Sequence, residues 1–208
     1  MIRAYHETYL DGAMQRTGDM FDYATNECGL SGDDFIRRFI CSDICSAMER
    51  GEPAYISGKS GVELAMEILG GDLPVPKKAY DRSPAHWCGW ISAYYQWWSN
   101  RKYEALFQAV PFSEMIRLYR TLHEADIEKA AGVLDARVRK HFPDTNLKRL
   151  RLAYGCSQGQ LARRSGVSLR SIQMYEQRNK DINKAHAETV LRLSKTLGCS
   201  MEELIEAG

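Results

Sequence analysis

The sequence predicts an all-α chain in two parts, an N-terminal helical bundle over residues 1–141 and a five-helix domain over residues 144–208. Three observations carry this reading. Apolar residues recur with a period of 3.6 along most of the chain, and the alternation that marks half-buried strands is nearly absent. Helix start and stop signals, Ser or Ser-Pro before an apolar run and Gly or Pro after it, punctuate the sequence at helix-length intervals. Charge is divided unevenly. The formal net charge is only +1, yet residues 144–183 hold eight Lys/Arg against three acids, while residues 1–140 hold 17 Lys/Arg against 20 acids. With 44% hydrophobic and 26% charged residues, the composition suits an ordinary folded chain and excludes a disordered one.

The elements of the N-terminal part follow in order. Residues 4–26 carry Tyr9, Met14, Met20, Phe21 and Ala24 at helical spacing, with Gly12 and Gly18 weakening the middle. Ser31 is an N-cap for one helix, "GDDFIRRFICSDICSAMERG", where Asp33 and Asp34 suit the positive helix end and Phe35, Phe39, Ile40, Ile44 and Met48 form the apolar face. Residues 51–60 read as loop, and Ser60 with Glu63 has the spacing of a capping box for "VELAMEIL". "GGDLPVPKKAYDRS" reads as an internal loop. Ser83 and Pro84 then open a helix containing all four tryptophans, because proline is tolerated at the first helical position. Trp87, Ile91, Tyr94 and Trp98 form its stripe, with Trp90 on the flank and Trp97 beside it. A last helix spans Glu124 to Arg139 through Ile127, Ala131, Leu134 and Val138, and Pro143 in "HFPDTN" marks the boundary between domains.

Several chemistries are excluded on spacing. "LHEAD" places His123, Glu124 and Asp126 together but lacks the second histidine of a His-Glu-x-x-His zinc helix, and "SGKSG" is no phosphate loop because Pro53 stands where its first glycine belongs. His6 and His86 read as single histidines without partners. Cys41 and Cys45 share a helix face, but no second Cys/His pair stands at zinc-ligand spacing, so they read as buried core thiols. The expectation is no enzyme, no cofactor and no metal. With no apolar run of about 18 residues and no signal-peptide pattern, the expected place is the cytoplasm, without membrane association and with the six cysteines reduced.

In the basic C-terminal part, Asn146 starts a helix, "LKRLRLAYG", with Leu147, Leu150 and Tyr154 inward. Ser157 caps "QGQLARRS", Gly166 supplies a turn, and Ser168 caps "LRSIQMYEQR", anchored from beneath by Ile172 and Tyr175. "AHAETVLRLSKTLG" and "SMEELIE" complete five helices. Residues 146–206 resemble the Cro/cI-type (Xre) helix-turn-helix domain. The resemblance rests on Ser157-Gln158, Leu161-Ala162, Gly166-Val167-Ser168, Ile172 and Tyr175-Glu176 at the family's spacing. The sequence departs from the family after Glu176, reading "QRNKD" where Asn-Gly is common.

The resemblance implies that the second helix of the pair enters the major groove of an operator. Leu169, Arg170, Gln173 and Met174 are then the base-contacting residues, and Gln158, Ser168, Arg178 and Lys180 the phosphate-contacting ones. Arginine pairs guanine and glutamine pairs adenine, each through two hydrogen bonds. One domain covers one half-site, so a homodimer on a palindrome with centres about 34 Å apart is expected.

For the N-terminal part, four tryptophans on one helix cannot all share one face, so at least one is expected at the surface. Trp90, Trp97 and Trp98 are the candidates for binding a partner or ligand. The segments "GDMFDYATNECG", "GKSGVELAMEIL", "GWISAYYQWW" and "LYRTLHEADIEK" resemble an N-terminal region of bacterial helix-turn-helix antitoxins encoded beside toxin genes. That resemblance implies a repressor whose N-terminal domain grips a toxin protein while its C-terminal domain controls their shared promoter. The alternative is a ligand-responsive repressor with a small-molecule pocket in the aromatic bundle, which would show an enclosed apolar cavity with a few convergent polar groups.

Overall fold

The computed structural model describes residues 3–71, 73–76, 82–142 and 144–206. Among these residues all regular structure is helical, and the chain forms two units, Met1–His141 and Phe142–Gly208. No described helix is long and apolar enough to cross a membrane. Pro143 and residues 72 and 77–81 of the expected internal loop lie outside the described residues.

The N-terminal unit is organised by α1 (Leu10–Asp22) and α5 (Pro84–Ser99). They run in opposite senses, with Gly18 against His86, Thr17 against Gly89, and the segment before α1 reaching the far end of α5, where the Ala4 N–H donates to the Trp97 carbonyl at 3.2 Å. Glycine is what lets them approach. A Cβ on Gly89 would stand 2.2 Å from the Thr17 carbonyl oxygen, and one on Gly18 would stand 2.6 Å from His86 Nε2. Gly18 therefore leaves α1 unbroken and serves the crossing. His86, expected to lack partners, is 4% exposed and has Asp19 Oδ1 and Gln15 Nε2 each 3.3 Å from its Nε2.

The single helix expected after Ser31 is two, α2 (Gly32–Ile40) and α3 (Asp43–Glu49). Ser42 makes the break: its hydroxyl donates to the Phe39 carbonyl at 2.7 Å and accepts the Cys45 N–H at 3.1 Å, capping a new helix. Cys41, read as a core thiol, is exposed at this corner, whereas Cys45 is buried. Residues 51–60 are less irregular than expected, because Ala54–Gly58 winds into a π-helical turn that buries Ile56. The Ser60/Glu63 capping box is present at the start of α4 (Gly61–Leu69), and Ser83 caps α5 by accepting the His86 N–H at 3.1 Å. Two helices without an expectation follow, α6 (Tyr103–Ala109) and α7 (Phe112–Leu122). In α8 (Ile127–His141) the start lies three residues later than expected, because Asp126 Oδ1 accepts the Glu128 and Lys129 N–H groups and fixes the first turn there.

Phe21, Phe35, Phe39, Tyr103 and Phe107 form one aromatic cluster with neighbouring centroids 5.1–6.4 Å apart. Side chains of this size contribute about 1.5–3 kcal/mol each when fully buried.

The C-terminal unit contains α9 (Asn146–Ala153), α10 (Gln158–Ser165), α11 (Leu169–Glu176), α12 (Ala187–Leu197) and α13 (Met201–Leu204). Its core gathers Leu147, Leu161, Val167, Ile172, Tyr175, Val190, Leu193 and Leu204. Thr145 caps α9, accepting the Lys148 N–H at 3.2 Å. Tyr154, expected inward, is 46% exposed, because α9 ends before it and Arg151 takes the inward position one turn earlier.

Candidate nucleic-acid interface

The pair α10 and α11 is set by local chemistry at both ends of the turn. Ser157 Oγ accepts the Gln160 N–H at 3.2 Å, and Gln160 Oε1 accepts the Ser157 N–H at 2.8 Å. At the other end of α10, Gly166 adopts φ +68°, a left-handed conformation in which a residue without Cβ is unstrained. Ser168 then caps α11 through the Ser171 N–H at 3.1 Å. Ile172 and Tyr175 face down into the core at 0% and 4% exposure, which fixes the face that α11 turns outward.

On that outward face Leu169 is 43% exposed and Arg170 is exposed, while Gln173 and Met174 are half-buried. Gln173 Oε1 is enclosed and has no hydrogen-bond partner, so turning this amide onto a base edge sacrifices no protein bond at that oxygen. Ser168 is exposed at the helix start, where unpaired backbone N–H groups and the helix dipole favour an anion.

The interior of the domain holds a polar network that composition alone hid. Arg151, one of the eight Lys/Arg counted over residues 144–183, is 7% exposed and donates from Nε to Glu176 Oε1 at 2.6 Å and from Nη2 to Glu176 Oε2 at 2.8 Å. Its third nitrogen donates to the Cys156 carbonyl at 2.8 Å. The hydrogen bonds with Glu176 push the guanidinium pKa above its ordinary value. Gln158 is drawn into the same network, its Nε2 donating to Glu176 Oε2 at 2.8 Å. The expected phosphate ligand is thus an oriented one, its amide fixed from behind. The signal available was spacing: Arg151 stands four residues after the inward Leu147, on one helical face.

The outward cations sort by partner. Lys148 pairs with Asp144 at 2.5 Å, and Arg178 with Glu206 at 3.2 Å. Among the described residues Arg163, Arg164, Arg170 and Lys180 have no carboxylate partner. The Lys180 Nζ lies 5.3 Å from the Tyr175 ring centroid, and the Arg164 guanidinium 5.7 Å from that of Tyr154.

The tryptophan candidates in the other unit fare differently. No tryptophan is fully exposed: Trp87 and Trp97 are buried at 8% and 6%, and Trp90 and Trp98 are partly covered. Trp97 corrects the expectation of a surface residue, since the chain folds back over it. Its Nε1 donates to the Tyr5 carbonyl at 2.9 Å, and the Arg3 guanidinium sits 4.4 Å from its ring centroid while donating to the Trp98 carbonyl at 2.9 Å. Only an edge of Trp97 reaches an open cleft of about 500 Å³, beside Tyr94, His6, Glu7 and Glu128.

Residues 147–204 match the family model described as Helix-turn-helix. No curated protein and no solved structure matches the chain. The matched span coincides with the capped helix pair, its glycine turn and the core that carries them. Sequence match and geometry together place the C-terminal unit in the Cro/cI-type helix-turn-helix family, and the chain is a DNA-binding transcription regulator.

Proposed function

We propose that the chain is a sequence-specific, autoregulatory antitoxin: a homodimer that represses its own promoter at a palindromic operator through α11, while the N-terminal unit binds a toxin protein. The observation that carries the DNA half is the outward Leu169–Arg170 start of a helix whose opposite face is locked into the core. Arg170 reads a guanine through two hydrogen bonds, Gln173 an adenine, Leu169 a thymine methyl, and Met174 lines the groove wall. Gln158, Ser168, Arg178 and Lys180 hold flanking phosphates and set the register.

For the N-terminal unit, the open cleft at Tyr94 and Trp97 favours a protein partner over an enclosed small ligand. Its rim carries Arg3, His6, Glu7 and Glu128, polar groups suited to side chains of another surface, and it lacks the closed shape that buries a small molecule.

Selection of bound duplexes from a randomised pool tests the DNA half. Arg170→Ala is expected to lose about 1–3 kcal/mol of discrimination at one operator position while its affinity for random duplex stays near that of the parent. Equal losses on operator and random DNA would remove Arg170 from the reading set. Gentle isolation of the tagged protein from its native cell, with mass spectrometry of what remains at equal stoichiometry, tests the partner. One small protein encoded next door is expected; recovery of the chain with operator DNA alone would overturn the antitoxin role.

A further inference from the structure

The loop after the recognition helix is tied to the end of the chain in a way the DNA reading leaves unexplained. α11 closes with the Arg178 N–H donating to the Tyr175 carbonyl and the Lys180 N–H to the Met174 carbonyl, both at 3.1 Å. This closure holds Arg178 at φ +58°, the left-handed conformation that favours glycine. A bulky residue kept there points to a use for its side chain. The guanidinium donates from Nη2 to Glu206 Oε2 at 3.2 Å, with the two side chains only 33% and 21% exposed.

Glu206 is held in place independently of Arg178. Its N–H donates to Asn183 Oδ1 and its carbonyl accepts from Asn183 Nδ2, both at 2.9 Å. Its other carboxylate oxygen accepts the Asn146 N–H at 2.6 Å. A cleft of about 180 Å³ lies where Arg178, Lys180, Tyr175 and Glu206 meet. A carboxylate has therefore been fixed beside a cation of the phosphate-contacting loop, with an acceptor geometry like that of a phosphate oxygen.

We propose that Glu206 is an intramolecular counter-anion for DNA-backbone binding: it occupies Arg178 in the free protein and yields it to a DNA phosphate in the complex. The inference rests on the DNA reading of the C-terminal unit and adds a residue that sets its strength. Because the exchange swaps one anion for another, Arg178 adds little net charge neutralisation on binding, and Glu206 lowers affinity for every sequence alike. It trims non-specific grip and leaves base choice to Arg170 and Gln173.

Binding of the full-length chain to a mixed-sequence DNA duplex, measured across a salt series, tests this. Glu206→Gln keeps the acceptor for Asn146 and both bonds to Asn183 but removes the charge. It is expected to bind several-fold more tightly at low salt, with the slope of log K against log salt steeper by about one. In an Arg178→Ala background the same change is expected to do nothing. Unchanged or weaker binding by Glu206→Gln, with the parent binding normally, would overturn the proposal. Failure of the parent to bind any duplex would instead overturn the DNA reading beneath it. A readout on the unaltered protein guards against a misfolded variant: the Arg178 side-chain N–H resonance is expected to shift on saturation with duplex, and a resonance that stays put would overturn the exchange.

Discussion

α5 and α11 each carry the most conspicuous side chains of their unit and use them in opposite ways. In α5 thirteen of sixteen residues are buried, so Trp87, Tyr94, Tyr95 and Trp97 are enclosed by neighbouring segments while Trp90 and Trp98 stay partly covered. In α11 only Ile172, Tyr175 and Glu176 of eight residues are buried, and the others remain available to a partner. Residue chemistry marks Trp97 and Arg170 as equally good binding groups. What separates them is support: Arg170 stands on a helix whose opposite face is pinned, whereas Trp97 is itself what pins residues 3–5 to the end of α5. A side chain becomes a recognition element when its neighbours hold it outward, and a packing element when they close over it.

The largest test of this contrast removes the support and leaves the outward face of α11 intact. Glu176→Ala strands the buried Arg151 charge and is expected to cost the C-terminal unit about 3–5 kcal/mol. Hydrogen exchange should show lost protection across α9–α13 with α5 unaffected. Retained protection in α9–α13 would mean that the apolar core alone carries the domain.

A smaller effect is expected where α1 and α5 touch. Gly89→Ala sets a Cβ against the Thr17 carbonyl, a backbone atom that cannot move aside, and overpacking of this kind costs about 1–3 kcal/mol. Urea unfolding followed by tryptophan fluorescence reads it directly, because all four tryptophans lie in α5. A gain in stability, as alanine gives at an open helix position, would show the crossing to be looser than its geometry.

The smallest effect sharpens the outward side of the comparison. Lys180→Ala is expected to weaken binding to operator and random duplex alike, with the salt slope reduced by about one and the melting temperature little changed. A loss confined to operator DNA would make Lys180 a base reader.

Much of this architecture was legible because its rules are local. Ser60 with Glu63, Ser83-Pro84, Ser157, Gly166 and Ser168 all act at fixed offsets of a few residues, and a cap or a turn needs no distant partner. Ser42 obeys the same rule but sits inside a continuous apolar period, which concealed the break between α2 and α3. The short α6 and α7 lie in a stretch whose period was not separated into elements. The rest depends on residues far apart in the chain. Arg151 meets Glu176 across 25 positions, and Trp97 is covered by a carbonyl 92 positions away. Neither pairing leaves a mark in composition or period, so the buried arginine stood among the basic residues without distinction and the buried tryptophan was expected at the surface.

The same separation of 92 residues between Tyr5 and Trp97 has a consequence in time. During synthesis α1 leaves the ribosome well before α5: Phe21 can already pack on Phe35 and Phe39 of α2, but the face around Thr17 and Gly18 has nothing to cover it until the aromatic helix follows. The docking of residues 3–5 onto α5 is then a late event, because so non-local a contact repays its loop-closure entropy only once the intervening helices have assembled. A nascent chain halted before residue 84 would leave the α5-facing side of α1 open, and one halted after α5 would still lack Tyr103 and Phe107 to close the aromatic cluster.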